Sequence, residues 1–374
     1  MVKWLEKTLG EVTAFIAKGI PPKYTEEENE NTIRVLNQKC NRNFEISYNE
    51  SRIHDCEKKK VPVDKMLRAG DVLINSTGTG TAGRVAQMVE VTVPTTIDGH
   101  MILIRPSEEL DPIYYGYAVK SFQSQIEELA EGSTGQTEIN RRRLQDEVII
   151  RYPSDKLVQK NIGSFLANID EKIKTNKEIN KNLEQQAQAI YQKMFIENRN
   201  SNWKEGKLSD LVAVKYGKDH KKLDDGCYPV YGSGGIMRYV EEPLYTGESV
   251  LIPRKGSLNN VMYVNGAFWS VDTMFYTEMR RPNIAKFVYH FVKGKDLASL
   301  NAGSAVPSMT TNILNAMQLY IPDDKTLCIF EETVAPMYAQ MQENEKQSVN
   351  LAKLRDTLLP RLMSGELDVS DIDL

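Results

Sequence analysis

Hydrophobic residues alternate at spacings of four and three in two long segments of the chain, and this periodicity predicts two amphipathic helices with a heptad repeat. The second stripe repeats the first position for position. The stripes comprise Ile162, Leu166, Ile169, Ile173, Asn176, Asn180, Leu183, Ala187, Ile190 and Met194 in the first segment, and Phe330, Val334, Met337, Met341, Asn344, Ser348, Leu351, Arg355, Leu358 and Leu362 in the second.

Two polar residues interrupt each stripe near its middle, Asn176 and Asn180 in the first and Asn344 and Ser348 in the second. A polar residue at a core position of a coiled coil lowers stability but fixes the register. If the helices run antiparallel, the two polar pairs meet at mid-length. We therefore favour one shared coiled coil over two separate helices that each pack on their own domain.

Each predicted helix follows segments that occur twice in the same order, so the chain is an internal repeat with a long period. The repeated pairs are KWLEKTLGEVTA with NWKEGKLSDLVA, GDVLIN with GESVLIP, and GSTGQTEINRRRLQDEVIIRYPSDK with GSAVPSMTTNILNAMQLYIPDDK. Short β-branched or aromatic runs broken by Gly, Pro and Asn predict mixed, mostly β domains. These runs are DVLIN, RVAQMVEVTV, HMILIRP, SVLIPR, NVMYV and MFYTEM, whereas PIYYGYAVKSFQSQIEELA and IAKFVYHFVKGK predict helices.

The predicted fold class is therefore α+β, with two similar, mostly β domains joined by two long antiparallel coiled-coil helices in a pseudo-twofold repeat. We divide the chain into a first globular domain (1–155), a first helical spacer (156–200), a second globular domain (201–325), a second helical spacer (326–365) and an acidic C-terminal tail (366–374).

The composition, with 41% hydrophobic and 26% charged residues, is that of a soluble globular protein. The N-terminus lacks the apolar core of a signal peptide, and we expect a cytoplasmic location. Cys40, Cys56, Cys227 and Cys328 are scattered without a C-x-x-C pair, which favours reduced thiols over a disulfide frame or a zinc site.

The formal net charge of −4 argues mildly against nucleic-acid binding. Local basic clusters matter more than the sum, although such a cluster is more often solvated surface than a phosphate site. The clusters are Lys58–Lys60, Arg141–Arg143, Lys218 with Lys221 and Lys222, Arg254–Lys255, and Arg280–Arg281.

Two motifs suggest catalysis but do not fit their required context. Gly78, Gly80 and Gly83 spell G-x-G-x-x-G after a predicted strand, yet the following residues predict another strand and not the helix that a dinucleotide site needs. A tight hairpin with glycines at positive φ explains them better. Asp111-Pro112-Ile113-Tyr114 is close to the Asp-Pro-Pro-Tyr element of adenine methyltransferases, but a helix cap at Asp111 is the better interpretation. The sequence predicts no catalytic, cofactor or metal site.

Nearly the whole chain resembles the specificity subunit of a Type I restriction–modification system. The order of repeated domain and helix carries the resemblance more than any single motif. INSTGTGTAGRVA (74–86), YPVYGSGGI (228–236) and LIPRKGS (251–257) are similar to frequent elements of that family's target-recognition domains, and LAKLRDTLLPRLMSGEL (351–367) resembles its closing helix.

The resemblance implies that each domain contacts one half of a split double-stranded DNA target. The helices would set the gap between the halves and dock two modification subunits, which would hold S-adenosylmethionine and transfer a methyl group to adenine. Restriction subunits that use ATP and Mg²⁺ would join them. The chain itself would have no active site and no cofactor, and would act in defence against foreign DNA.

Loops rich in Asn, Ser, Thr, Gly, Gln and Arg can exchange hydrogen bonds with base edges, although many such residues only form turns. The candidate DNA-binding residues are Asn75, Ser76, Thr77, Thr79, Arg84, Ser133, Thr134, Gln136, Arg141, Tyr231, Ser233, Arg254, Lys255, Ser257, Asn259, Asn260, Ser304 and Ser308. Two other function classes stay open, a DNA methyltransferase or nuclease with atypical motifs and a protein scaffold that binds no DNA. Binding of S-adenosylmethionine or metal by the isolated chain would favour the first, and failure of the complex to bind random DNA the second.

Overall fold

The computed structural model describes residues 2–132, 137–300 and 308–367, in which the chain forms two compact units. The first unit comprises Met1–Asn176 and Lys346–Leu374, and the second comprises Lys177–Glu345. Both long helices pass from one unit into the other. This division therefore differs from the sequence-based domains, which assign each helix whole to a spacer.

The first unit is built mainly from short strands. They are β1 (Trp4–Thr8), β2 (Thr13–Lys18), β3 (Tyr24–Thr25), β4 (Thr32–Leu36), β5 (Asn41–Arg42), β6 (Glu45–Ile46), β7 (Arg52–Asp55), β8 (Val72–Asn75), β9 (Val85–Gln87), β10 (Thr95–Ile97), β11 (Met101–Pro106), β12 (Ala130–Glu131), β13 (Glu138–Ile139) and β14 (Ile149–Pro153). Its helices are α1 (Pro112–Ser121), α2 (Gln123–Glu128), α3 (Arg141–Glu147), the first part of α4 (Lys156–Tyr191) and the second part of the last helix, α8 (Asp324–Met363).

The second unit has fewer and longer strands. They are β15 (Lys204–Lys207), β16 (Val212–Tyr216), β17 (Asp225–Gly232), β18 (Gly235–Val240), β19 (Tyr245–Pro253), β20 (Met262–Ser270), β21 (Met274–Met279) and β22 (Gln318–Ile321). Its helices are the second part of α4, α5 (Leu208–Leu211), α6 (Ala285–Lys293), α7 (Thr311–Asn315) and the first part of α8 (Asp324–Met363). A π-helical turn, Gln192–Glu197, extends α4.

Both units contain the same antiparallel four-stranded sheet. Its strand order is β2-β11-β8-β9 in the first unit, and β16-β21-β19-β20 within the six-stranded sheet of the second. The repeated runs DVLIN and SVLIP form the equivalent inner strands β8 and β19. The internal repeat predicted from the sequence is thus confirmed at the level of topology.

A second repeated feature is a two-stranded antiparallel sheet that joins the first strand of each repeat to its last. β1 pairs with β14 in the first unit, and β15 pairs with β22 in the second. A short helix precedes the last strand in both repeats, and a long helix follows it. The α+β fold class, with two mostly β domains and two long helices, is confirmed.

The two units differ in what is added to the shared sheet. The first carries a separate four-stranded sheet of order β10-β4-β7-β3, in which β3, β4 and β7 come from the segment between β2 and β8, and β10 from the segment between β9 and β11. The second carries the β17–β18 hairpin, which joins the edge of the shared sheet through a short parallel pairing of β17 with β20. The halves therefore present different surfaces on a common framework.

One strand predicted from the sequence is longer than the strand in the structure. The run RVAQMVEVTV forms only β9, Val85–Gln87, and the following residues leave the sheet. The partner strand β8 begins at Val72, which pairs with Gln87, and beyond this pair only Met88 of the run still makes backbone hydrogen bonds with described residues, namely Asp71 and Gly70. Val89 is consequently 86% exposed.

The long helices follow the heptad prediction. None of the 20 stripe positions is exposed. In the first unit, Asn176 donates from Nδ2 to Ser348 Oγ at 3.3 Å. In the second unit, Asn344 Nδ2 donates to Asn180 Oδ1 at 2.8 Å. The pairing of the polar interruptions, which requires antiparallel helices, is confirmed in each unit. No helix among the described residues is both long enough and apolar enough to cross a membrane.

Candidate nucleic-acid interface

The two units carry a loop at the same place in the repeated sheet. The first repeat loop, residues 76–84, joins β8 to β9, and the second repeat loop, residues 254–261, joins β19 to β20. In each unit, a single antiparallel bridge joins the loop to the segment before the short helix, which itself precedes the last strand of the repeat. The bridges are Thr77 with Glu138 in the first unit and Lys255 with Ser308 in the second. The fold thus places the candidate residues in equivalent positions.

Glycines shape the first repeat loop. Gly78, Gly80 and Gly83 have φ values of 109°, 70° and 89°, which are unfavourable for other residues. Gly83 also lies so close to Glu127 that a Cβ on the glycine would be 2.6 Å from its Cα. The loop leads into β9 and not into a helix, so the interpretation of G-x-G-x-x-G as a hairpin is confirmed. The cap predicted at Asp111 is confirmed as well, since its side chain accepts from two N–H groups of α1.

Hydrogen bonds hold the base of the first repeat loop. Thr77 Oγ1 lies 2.9 Å from His100 Nδ1, and the backbone N–H of His100 donates to the Asp98 carboxylate at 2.9 Å. Burial raises the pKa of Asp98, and the hydrogen bond from His100 opposes this shift. His100 is exposed, so the base of the loop presents an imidazole to solvent.

Two first-unit candidates are buried in the structure. Asn75 and Ser76 have no exposed surface. The Asn75 amide is occupied internally, because Nδ2 donates to the Gln38 carbonyl at 3.1 Å and Oδ1 accepts from Asn41 at 3.2 Å. Ser76 Oγ is buried without a hydrogen-bond partner among the described residues, and we remove both side chains from the set of proposed DNA contacts.

The remaining first-unit candidates lie nearer the surface. Thr79 is exposed, while Thr77 and Arg84 are half-buried. Arg84 Nη2 donates to the Gly80 carbonyl at 3.0 Å, which folds this side chain over its own loop. Arg141 is exposed at the start of α3. The other three candidates of this unit, Ser133, Thr134 and Gln136, lie outside the described residues.

The second repeat loop begins with two adjacent cations. Arg254 Nη1 donates to the Asp272 carbonyl at 3.2 Å, and its guanidinium lies 5.4 Å from the centre of the Tyr216 ring. Lys255 is exposed. Within the described part of the chain, neither cation is paired with a carboxylate. Both charges are therefore available to an anion.

The tip of the β17–β18 hairpin contacts this loop. Asn260 Nδ2 donates to the Ser233 carbonyl at 2.6 Å, and a Cβ on Gly256 would lie 3.3 Å from Ser233 Oγ. Tyr231 is half-buried against Phe268, and burial raises its pKa to about 12. The sequence candidates of the second unit are thus brought together from two separate segments.

The remaining candidates of the second unit differ in their exposure and contacts. Ser257 is exposed. Asn259 is also exposed, but it is held by Asp296 Oδ1 at 3.2 Å and by the Ala298 N–H at 3.1 Å. Ser308 forms the bridge to Lys255 and is half-buried. Ser304 lies outside the described residues.

Several cations of the basic clusters serve the fold. Arg143 binds Glu147 and Glu131, and Arg281 binds Asp324. Sequence reasoning missed three residues beside the loops, Gln38, His100 and Tyr216, and also Met237 of the β17–β18 hairpin. Only Tyr216 was signalled in the sequence, since it directly precedes the basic segment around Lys218. Among the described residues, no group of three or more His, Cys, Asp and Glu could hold a metal ion.

Known proteins share the sequence pattern of this chain. Residues 1–185 and 200–332 match the model of the family described as the Type I restriction modification DNA specificity domain. The chain is 23% identical over 303 residues to the Type I restriction enzyme MjaIX specificity subunit of Methanocaldococcus jannaschii, covering 70% of this chain and 69% of that one. It is 26% identical over 278 residues to a putative type I specificity subunit of Mycoplasma genitalium, covering 68% and 71%.

A solved structure shares the fold along almost the whole chain. The S subunit of a Type I restriction–modification system from M. genitalium superposes with a TM-score of 0.60 at 20% identity, covering 96% of both chains. The family match extends over both repeats, including both loops and their bridges. The chain therefore belongs to the family of Type I restriction–modification DNA specificity subunits.

Proposed function

We propose that the chain recognises a bipartite double-stranded DNA target, with one domain on each half, and that it catalyses no reaction itself. The observation that carries this proposal is the repetition of the loop and its bridge at equivalent positions of the two units. Two similar loops on a repeated framework suit a target with two halves. Their different sequences suit halves with different bases.

The chemistry of the loops supports contact with DNA. Exposed Thr79 and Ser257 can donate to or accept from base edges, and the glycines between such residues allow close approach of the backbone. Lys255 supplies charge for a phosphate oxygen, a contact that contributes affinity without sequence information, and Arg254 is available to a base edge. The acidic net charge of the chain does not oppose this, because the charge that matters is local.

The long helices would dock the catalytic partners. Apolar side chains that are more than a third exposed lie on both of them, Leu157 and Ile179 on α4 and Ile329 and Leu354 on α8. Single exposed apolar side chains are common on protein surfaces, so the proposal of partners on these helices rests on membership of the family. We propose two modification subunits there, holding S-adenosylmethionine for adenine methylation, and restriction subunits that use ATP and Mg²⁺.

The methylated sequences of the source cell test the proposal directly. We expect one motif with methyladenine, in which two defined halves flank a gap of fixed length, and we expect it to vanish when the gene for this chain is deleted. Filter binding of the purified complex to random DNA gives a second measurement. A complex that binds no DNA at any salt concentration would identify the chain as a protein scaffold.

The absence of a cofactor is tested on the isolated chain. Calorimetric titration with S-adenosylmethionine should give no heat of binding, whereas the same titration of the modification subunit should. Micromolar binding to this chain alone would favour the methyltransferase class instead.

A further inference from the structure

The β17–β18 hairpin exposes apolar side chains beside the second repeat loop. Ile236 is 45% exposed and Met237 is 61% exposed. Among the described residues, β18 is an edge strand of the six-stranded sheet and pairs with β17 alone. The next residue, Arg238, is turned to the Leu223 carbonyl and the Asp225 carboxylate. Ile236 and Met237 therefore offer an apolar contact to a partner.

The backbone holds Met237 in a defined place. In the hairpin register, Val230 pairs with Arg238 and Tyr231 pairs with Ile236, which leaves Met237 as the extra residue of a β-bulge. Bulges redirect a side chain relative to the regular strand. A Cβ on Gly232 would lie 2.5 Å from Met237 Sδ, so the thioether rests against this glycine. The side chain is thus supported at its base and open to solvent beyond it.

The hairpin and the second repeat loop form one surface. Asn260 binds the Ser233 carbonyl at the hairpin tip, and Gly256 approaches Ser233 closely. Lys255, directly before Gly256, is an exposed cation. DNA bound at this loop would therefore also meet the hairpin that carries Met237.

We propose that Met237, with Ile236 beside it, contacts the C5-methyl group of a thymine in the half-site that the second domain reads. The assignment rests on the proposed function and names one specificity-determining contact within it. Among the base edges of the major groove, only thymine presents a methyl group, and apolar side chains are its usual partners. Methionine suits this role because its thioether is polarisable and adapts to the shape of its partner.

The test uses the complex with its modification subunits and duplexes that carry the unmethylated motif. Each thymine is replaced in turn by deoxyuridine, which removes only the C5-methyl group. The wild-type complex should bind one of these duplexes about fourfold more weakly, the effect of losing one buried methyl-sized group. Met237→Ser should bind that duplex and the parent duplex equally, and Met237→Leu should keep the preference for thymine. Val89→Ser changes an exposed side chain of the first unit and should have no effect.

The outcomes separate this assignment from the proposed function. If the wild-type complex does not prefer the motif to a scrambled duplex, the proposed function fails. If it prefers the motif but no uridine replacement weakens binding, the thymine contact is wrong. Met237→Ser that weakens binding yet keeps the thymine preference would also overturn it, since the side chain would then act as a wedge between base pairs or as support for the loop.

Discussion

At the scale of single residues, the second repeat loop combines a cation held by neighbouring groups with an exposed one. Arg254 rests on Tyr216 and donates to the Asp272 carbonyl, whereas Lys255 is exposed. Lys255 is therefore better placed for a phosphate oxygen, and Arg254 for a base edge at a fixed position. The two roles have different signatures in binding measurements.

Lys255→Ala should weaken binding of the complex to all DNA sequences alike and reduce the salt slope by about one, as the loss of one phosphate contact requires. Arg254→Ala should cost about 1–3 kcal/mol on the cognate motif and relax specificity in one half-site only. Lys204→Ala changes an exposed lysine on β15 and serves as the matched control. Unchanged affinity of both loop variants across a salt titration would exclude the two residues from the interface.

A buried histidine makes the second unit sensitive to pH. His290 of α6 has no exposed surface, with Nδ1 2.7 Å from Gln188 Oε1 and Nε2 2.9 Å from the Tyr338 hydroxyl. Burial lowers the pKa of His290 to about 4, although the Glu184 carboxylate opposes this shift. The unfolded chain therefore binds a proton between its ordinary pKa of about 6.5 and pH 4, where the folded chain does not.

The free energy of unfolding should consequently fall as the pH is lowered from about 6.5 to 4, with this histidine contributing a slope of at most about 1.4 kcal/mol per pH unit. His290→Gln removes the titration but keeps a polar side chain. Urea denaturation across this range should show a shallower slope for the variant, whatever its stability at neutral pH. Equal slopes for both proteins would show that His290 is not responsible.

At the scale of elements, the long helices join through an apolar seam with polar positions in its middle. In the second unit Asn344 donates to Asn180, and Asn180 Nδ2 donates to the Met341 carbonyl at 3.0 Å. A buried polar side chain that loses its hydrogen-bond partner still carries the free-energy cost of its removal from water. The polar pair therefore favours one register of the two helices, but it makes them less stable than a fully apolar seam would.

Asn344→Leu alone should destabilise the chain by about 1–3 kcal/mol, because it leaves the Asn180 carbonyl oxygen without its donor. The double variant that also carries Asn180→Leu should be at least as stable as the wild-type chain, since the apolar seam then becomes continuous. Denaturation of both single variants and the double variant completes a thermodynamic cycle. Additive losses would show that the two amides do not interact.

At the scale of the whole molecule, each repeat carries its own sheet, loop and bridge. The ends of the second repeat lie side by side, since Trp203 Nε1 donates to Asp323 Oδ2 at 3.0 Å. Neighbouring ends allow a segment to be exchanged without disturbing its surroundings.

Replacing Trp203–Lys325 with the equivalent segment of a related subunit should therefore change one half of the methylated motif and leave the other half intact. Sequencing of methylated DNA from cells that carry the hybrid measures this. A simultaneous change in both halves would contradict separate recognition by the two domains.

The sequence by itself determined the repeat, the two helices and the pairing of their polar positions. These features depend on periodicity and local residue type, which act along the chain: a heptad stripe defines its own buried face, and Asp111 before Pro112 caps a helix wherever it occurs. The glycines at 78, 80 and 83 likewise indicated a turn, because positive φ is a local property of the backbone.

Only the tertiary structure decided which candidate residues face solvent and which of them meet. Asn75 ends β8 and Ser76 follows it, where loop residues are typical, yet both are buried, and Asn41 and Gln38, distant in the sequence, bind the Asn75 amide. Met237 gained its place from a bulge and a glycine across the hairpin. Burial and contact depend on segments far apart in the chain, and no local pattern encodes the side chain that another segment will supply.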